Sequence, residues 1–166
     1  GLKDRAARIM VLGIPNVGKS SLIHRLVGKA SAKVGDRPGV TKGKQWVRLQ
    51  GNVELFDTPG ILWPKFEDEK IALNIAFIGS IKDQILDIET LALRLLEYLV
   101  EHYPERLEER YGVEVTEALE TMEAIALKRG HIFSKKQIDY TRVSVMILDE
   151  FRAGKLGRIS LETPER

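Results

Sequence analysis

No cysteine occurs in these 166 residues, so disulfides and thiolate metal sites are excluded. No apolar run is long enough to span a bilayer and no signal peptide stands at the start, so no membrane partner is expected. A reducing, cytoplasmic setting fits both absences. Aromatic residues make up only 7% of the chain, against 30% charged and 43% hydrophobic. That balance suits a globular chain with room for one sizeable core or two small ones. An initiator methionine is missing too: the chain opens on Gly1, which predicts processing or a longer parent. No internal repeat is present.

The formal net charge is only +2, but it is unevenly placed. Residues 1–80 and 124–166 are basic, and residues 81–123 are acidic. Lys128, Arg129, His131, Lys135, Lys136, Arg142, Arg152, Lys155 and Arg158 gather late in the chain. Lys29, Lys33, Arg37, Lys42 and Lys44 form a second group. Basic surfaces of this kind suit a polyanion, although solvated helix faces account for them equally well. Few aromatics lie among these charges, so Trp46, Trp63 and Tyr140 read as packing residues rather than base-stacking platforms.

Against these scarcities stands one complete motif. Gly13-Ile14-Pro15-Asn16-Val17-Gly18-Lys19-Ser20 satisfies every fixed position of the phosphate-binding loop G-x-x-x-x-G-K-[ST]. Arg8–Leu12 before it reads as a buried strand, and Ser21–Val27 after it as a helix with Leu22, Ile23 and Leu26 on one face. Backbone N–H groups at such a turn converge on phosphate oxygens, and the positive end of the helix adds to their field. Lys19 is expected to reach the β and γ phosphates, and the Ser20 hydroxyl to hold Mg²⁺.

A second signal follows. Gln45–Leu49 alternates like a strand, Gly51-Asn52 marks a turn, and Val53–Asp57 reads as the paired strand. Asp57-Thr58-Pro59-Gly60 closes it with the D-x-x-G pattern of GTPases. Alone, this tetrapeptide is a common turn; after a complete phosphate loop it reads as a switch. Asp57 would bind Mg²⁺ and the Gly60 N–H would meet the γ-phosphate, a contact whose loss on hydrolysis releases the following loop. Thr41, in Pro38–Gly43, is the candidate threonine of the first switch, closing over Mg²⁺ and the γ-phosphate. Lys19, Thr41 and Gly60 are thus the candidate catalytic set.

From about residue 69 the spacing becomes helical. Leu91, Leu95, Tyr98 and Leu99 share a face of a helix over roughly 87–103. Ala118, Met122, Ile125 and Ala126 do so on a helix ending near Arg129, with Gly130 in the C′ place. A last helix carries Val143, Met146, Ile147 and Phe151, and either Ser134 with Gln137 or Asp139 starts it. The expected architecture is α/β: a partial phosphate-loop GTPase sheet, doubly wound, over residues 1–80, then an all-α domain over 81–166. The division is placed near Gly79-Ser80.

Gly13–Ser20, Pro38–Gly43 and Asp57–Ile61 together resemble the ribosome biogenesis GTPase A family (YlqF/RbgA), circularly permuted phosphate-loop GTPases. Glu101–Leu107 and Gly154–Glu162 resemble that family's helical C-terminal domain, so the resemblance covers nearly the whole chain. It implies a factor that binds and hydrolyses GTP during late assembly of the large ribosomal subunit, with precursor particles and ribosomal RNA as partners and no DNA. It places Asn16, Val17, Gly18, Lys19, Ser20, Ser21 and Gly60 on the nucleotide (GTP or GDP), with Ser20, Thr41 and Asp57 at Mg²⁺. It also puts Asn16 where related enzymes bind K⁺, which would stabilise charge on the transferring group; a turn asparagine chosen for its backbone is the alternative.

Two features of a working GTPase are absent. No N-K-x-D occurs to read guanine, and Ser31-Ala32-Lys33 directly follows the first helix, so it reads as switch loop rather than a base contact. In the permuted family both base-reading motifs precede the phosphate loop, so the first half of the GTPase domain is expected to lie outside this chain. That would leave one edge of the Arg8–Leu12 strand unpaired, an association hazard. Ile61 stands where Ras-like enzymes carry a water-orienting glutamine and cannot do its work. The family's proposed histidine would also lie outside the chain, and His24, His102 and His131 are poor substitutes. Two further readings stay open: a module that binds RNA or ribosomes without discriminating or turning over nucleotide, and an ATP-using enzyme.

Overall fold

The computed structural model describes residues 6–27, 45–49, 53–62, 68–83, 86–134 and 137–162. Contacts divide the chain into two compact units, Gly1–Glu69 with Ile78–Lys82, and Lys70–Phe77 with Asp83–Arg166. The two units interleave in sequence between residues 69 and 83.

The first unit holds β1 (Ala7–Val11), α1 (Lys19–Val27), β2 (Gln45–Leu49) and β3 (Val53–Asp57). The sheet order is β1-β3-β2. β1 runs parallel to β3, with Val11 opposite Asp57. β2 runs antiparallel to β3, with Trp46 opposite Phe56. The described sheet is therefore mixed. The parallel β1–β3 pair needs a crossover, and α1 lies within it. Alternation on β3 buries Leu55 and Asp57 on one face and turns Glu54 and Phe56 to the other. On that second face Trp46 packs on Phe56 with centroids 4.6 Å apart. Arg8 lies over Trp46 and donates to Glu54 at 3.1 Å.

Two sequence expectations fail here. The first strand is apolar but not buried: Ile9, Met10 and Leu12 are 48%, 55% and 63% exposed. Among the described side chains of α1 only Ile23 is buried, while Leu22 and Leu26 stay exposed. The cause is shared. β1 ends the sheet order, and α1 packs chiefly against β2 and β3. The described part of the unit gives each apolar surface one wall.

The second unit contains α2 (Glu69–Phe77, counted from Lys70), α3 (Ile88–His102), α4 (Pro104–Tyr111), α5 (Ala118–Arg129) and α6 (Tyr140–Arg152). An isolated antiparallel bridge joins Ile132 and Ile138. α3 packs against α4, α5 and α6. Its Leu91, Leu95, Leu96 and Leu99 are buried, as are Met122 and Ile125 of α5 and Val143 and Ile147 of α6. Tyr98 leaves this core and donates its hydroxyl to the Ser160 carbonyl at 2.6 Å. Asp87 caps α3 through Thr90 N. Asp139, not Ser134, caps α6: its carboxylate accepts from Arg142 N at 2.9 Å. Gly130 closes α5 in the left-handed region, φ 69°. Glu150 of α6 accepts two bonds from Arg110 of α4, and its side chain is only 10% exposed.

Candidate functional site

Parallel pairing sets the site. With Val11 opposite Asp57, β1 and β3 end side by side, so the loop after one and the turn after the other leave the sheet at the same edge. This is where open α/β sheets bind ligands. The loop Gly13–Ser20 runs from that edge into α1, whose first backbone bond is Leu22 N to Gly18 O at 2.8 Å. Gly18 has φ +86°, a conformation that a side chain at this position would strain. Asn16 has φ +61°, which asparagine tolerates better than other non-glycine residues. Its backbone role is thus visible, and its Nδ2 donates to Gly79 O at 2.7 Å.

Lys19 folds back over the loop and donates from Nζ to Ile14 O at 2.7 Å. Burial pushes its ammonium below the usual lysine range, and the Asp57 carboxylate opposes that shift. A partly desolvated ammonium held by loop carbonyl is poised for an anion, which would compensate it far better than one neutral dipole.

Ser20 and Asp57 meet. Ser20 Oγ donates to Asp57 Oδ2 at 3.1 Å. Asp57 is fully buried, and its Oδ1 has no hydrogen-bond partner. A buried carboxylate oxygen left so is costly, and a hard divalent cation, which takes oxygen ligands, would satisfy it. The residues present therefore fit Mg²⁺.

Thr58 and Gly60 complete the turn. Thr58 Oγ1 donates to Val11 O at 2.8 Å, tying the turn to β1. A Cβ on Gly60 would lie 2.4 Å from Pro15 N, so only glycine allows this approach. Ile61 N donates to Gly13 O at 3.2 Å. Asn16 to Ser21, Asp57 and Gly60 are thus gathered around one loop. Thr41 and the segment 28–44, with Lys29, Lys33, Arg37, Lys42 and Lys44, lie outside the described residues, as do Trp63, Lys135 and Lys136. His24 belongs to α1. His102 stacks on Tyr98, and His131 is tied through its backbone to Ala126 and Asp139.

Sequence reasoning missed Thr58 and the Gly79-Ser80 segment. The threonine's signal was its place inside D-T-P-G, one residue beyond the strand. The sequence reading places only a domain boundary near Gly79-Ser80, with no role at the loop; Ser80 is fully buried and donates its hydroxyl to Pro15 O.

Comparison with known proteins gives the family. The family model for 50S ribosome-binding GTPases matches residues 8–132. A ribosome biogenesis GTPase A from Bacillus cereus is 49% identical over 99% of this chain, which spans 56% of that protein's length. A GDP-bound YlqF structure aligns with 98% of this chain and 63% of its own, at TM-score 0.68 and 31% identity. The GNP-bound structure of YlqF from T. maritima gives TM-score 0.65 at 31% identity, over 98% of this chain and 61% of its own. The chain thus spans little more than half the length of the B. cereus relative.

Proposed function

This chain belongs to the 50S ribosome-binding GTPase family, and from that premise we propose that it is the phosphate-side part of a GTP-binding and GTP-hydrolysing factor for late assembly of the large ribosomal subunit. The observation that carries the reading is the Ser20–Asp57 pair, with its orphaned buried carboxylate oxygen, beside Lys19 on a complete phosphate loop.

In this reading the loop amides and the Lys19 ammonium bind the β and γ phosphates. Ser20 and Asp57, with Thr41, hold Mg²⁺. The metal supplies charge neutralisation on the phosphate oxygens. Gly60 offers its N–H to the terminal phosphate. Asn16 keeps the loop's left-handed turn and takes K⁺ as a further positive charge. Ile61 orients no water, so hydrolysis is slow unless another part of the protein, or the ribosome, supplies that group.

The second unit is read as an all-α domain that binds precursor particles through ribosomal RNA. Its basic residues include Lys128, Arg129 and Arg142, and phosphate neutralisation by such residues is salt-dependent. No described helix is long and apolar enough to cross a membrane, and we place the protein in the cytoplasm.

Nucleotide competition tests the assignment. GTP should displace a fluorescent guanine nucleotide from the intact protein, ATP should not, and Lys19→Ala should abolish binding. ATP preference would instead make it an adenine-nucleotide enzyme. The absence of N-K-x-D from these residues favours a second reading for the chain taken alone: a ribosome-binding module without base discrimination. Equal weak affinity for GTP and ATP in the isolated chain, with GTP preference in the intact protein, would support it.

A further inference from the structure

The pairing of β1 with β3 stops at Val11 and Asp57, yet the tie between them continues for one more residue. Thr58, the first residue beyond β3, is buried and donates from Oγ1 to Val11 O at 2.8 Å. Backbone pairing has no way on from there: Pro59 carries no N–H and cannot extend a ladder. The threonine hydroxyl supplies a donor past the end of the ladder, from a side chain that leaves the backbone free to turn. Valine would have the same shape without the donor.

The residue before it carries the chemistry. Asp57 accepts from Ser20 Oγ at 3.1 Å, and its other oxygen, Oδ1, is buried without a hydrogen-bond partner. Two consecutive residues are thus held from two elements, Asp57 from the first turn of α1 and Thr58 from the last residue of β1. A planar trans peptide separates their Cα atoms by a fixed distance of about 3.8 Å. Fixing Thr58 against β1 therefore limits how far Asp57 can slide or rotate. Mg²⁺ holds its ligands in near-ideal octahedral geometry at about 2.0–2.1 Å, so it responds to small displacements of the carboxylate that faces it. Three residues further on, Ile61 N donates to Gly13 O of the phosphate loop. Thr58 is where the turn leaves the sheet.

We propose that Thr58 is a positioning residue for the metal: its hydroxyl, anchored on the Val11 carbonyl, sets the Asp57 carboxylate where a divalent cation requires it. This rests on the nucleotide- and Mg²⁺-binding reading above and adds the residue that determines how well the ion is held. It also divides D-T-P-G between two tasks. Asp57-Thr58 stay with the sheet and keep the metal with either nucleotide. Pro59-Gly60 lie beyond the tie to β1 and answer to the terminal phosphate.

The test is nucleotide titration in the intact protein, from EDTA through rising Mg²⁺, with fluorescent GDP and a fluorescent non-hydrolysable GTP analogue. Thr58→Val removes one buried hydrogen bond, and the Mg²⁺ concentration for half-maximal tightening should rise about fivefold. The factor should be the same for both nucleotides, and affinity in EDTA should stay within about twofold of the wild type. Thr58→Ser, which keeps the hydroxyl, should restore the wild-type midpoint. A merely structural threonine would lower the melting temperature and leave the midpoint alone, or weaken binding equally with and without the metal. Should Thr58→Val fail to fold, Thr58→Ala is read in the same way. A wild-type Mg²⁺ midpoint in the folded variant, an equal loss in EDTA, or a serine variant no better than valine overturns the proposal and leaves the nucleotide reading in place. A wild type whose nucleotide affinity ignores Mg²⁺ overturns the metal assignment itself, and the proposal with it.

Discussion

Ser20 Oγ donates to Asp57 Oδ2 at 3.1 Å, joining the first turn of α1 to the end of β3. The two residues are 37 positions apart, yet the parallel β1–β3 register makes them neighbours. Asp57→Asn keeps the shape of this pair and removes the charge. Its nucleotide affinity should lose its Mg²⁺ dependence, falling about tenfold or more in Mg²⁺ to the level found in EDTA, which is at least ~1.4 kcal/mol. Titration with and without the metal checks this. An unchanged Mg²⁺ dependence would mean the ion sits elsewhere.

Gly60 is the point of closest approach between the D-x-x-G turn and the phosphate loop. Gly60→Ala places a methyl 2.4 Å from Pro15 N and must push the turn off the loop, breaking the Ile61–Gly13 bond. Guanine-nucleotide affinity or single-turnover hydrolysis should fall about tenfold, a loss of ~1.4 kcal/mol. Circular dichroism should show helix content unchanged. Wild-type values for both nucleotide measurements would show that the turn has room to spare.

The start of α6 offers a comparison free of the nucleotide site. Asp139→Ala removes a cap that accepts from Arg142 N and should cost about 1 kcal/mol. Ser134→Ala should be close to neutral. Thermal or urea melts of the two variants separate the alternatives that the sequence leaves open.

Glu150 gives the helical unit a pH signature. Arg110 holds its carboxyl below the ordinary glutamate range, against the opposing effect of burial. A depressed folded value means the pair stabilises the fold above the unfolded pKa and loses that contribution as pH falls through the folded value. Melts from about pH 7 to pH 3 should therefore show Glu150→Gln less stable than the wild type at neutral pH and converging with it in acid. Parallel curves throughout would remove the pair from the acid response.

Ile9, Met10 and Leu12 are exposed on and beside an edge strand. Among the described residues β1 pairs only with β3. The isolated chain should therefore self-associate with rising concentration. Lysine in place of Ile9 and Met10 should suppress this in sedimentation experiments. A wild-type chain that stays monomeric at high concentration would mean this surface is already covered.

The motif residues were legible because their chemistry is local. G-x-x-x-x-G-K-S dictates the turn, its left-handed glycine and the amides of the next helix through neighbours in the chain. The same holds for the helical faces of α3, α5 and α6 and for Gly130 as a C′ residue. Burial was not legible. Leu22, Leu26 and Ile9 carry the right hydrophobic spacing yet remain exposed, because a periodic pattern says which side turns inward but not whether anything lies there. The Asp139 cap was decided by hydrogen-bond geometry between competing side chains. The part Gly79-Ser80 plays beside the loop was not legible either, since a partner more than sixty positions away exists only after the chain has packed. Residue order thus sets what the phosphate loop is made of; long-range contacts set how Pro15, Asn16 and Asp57 are held, because those contacts join segments that local preferences never bring together.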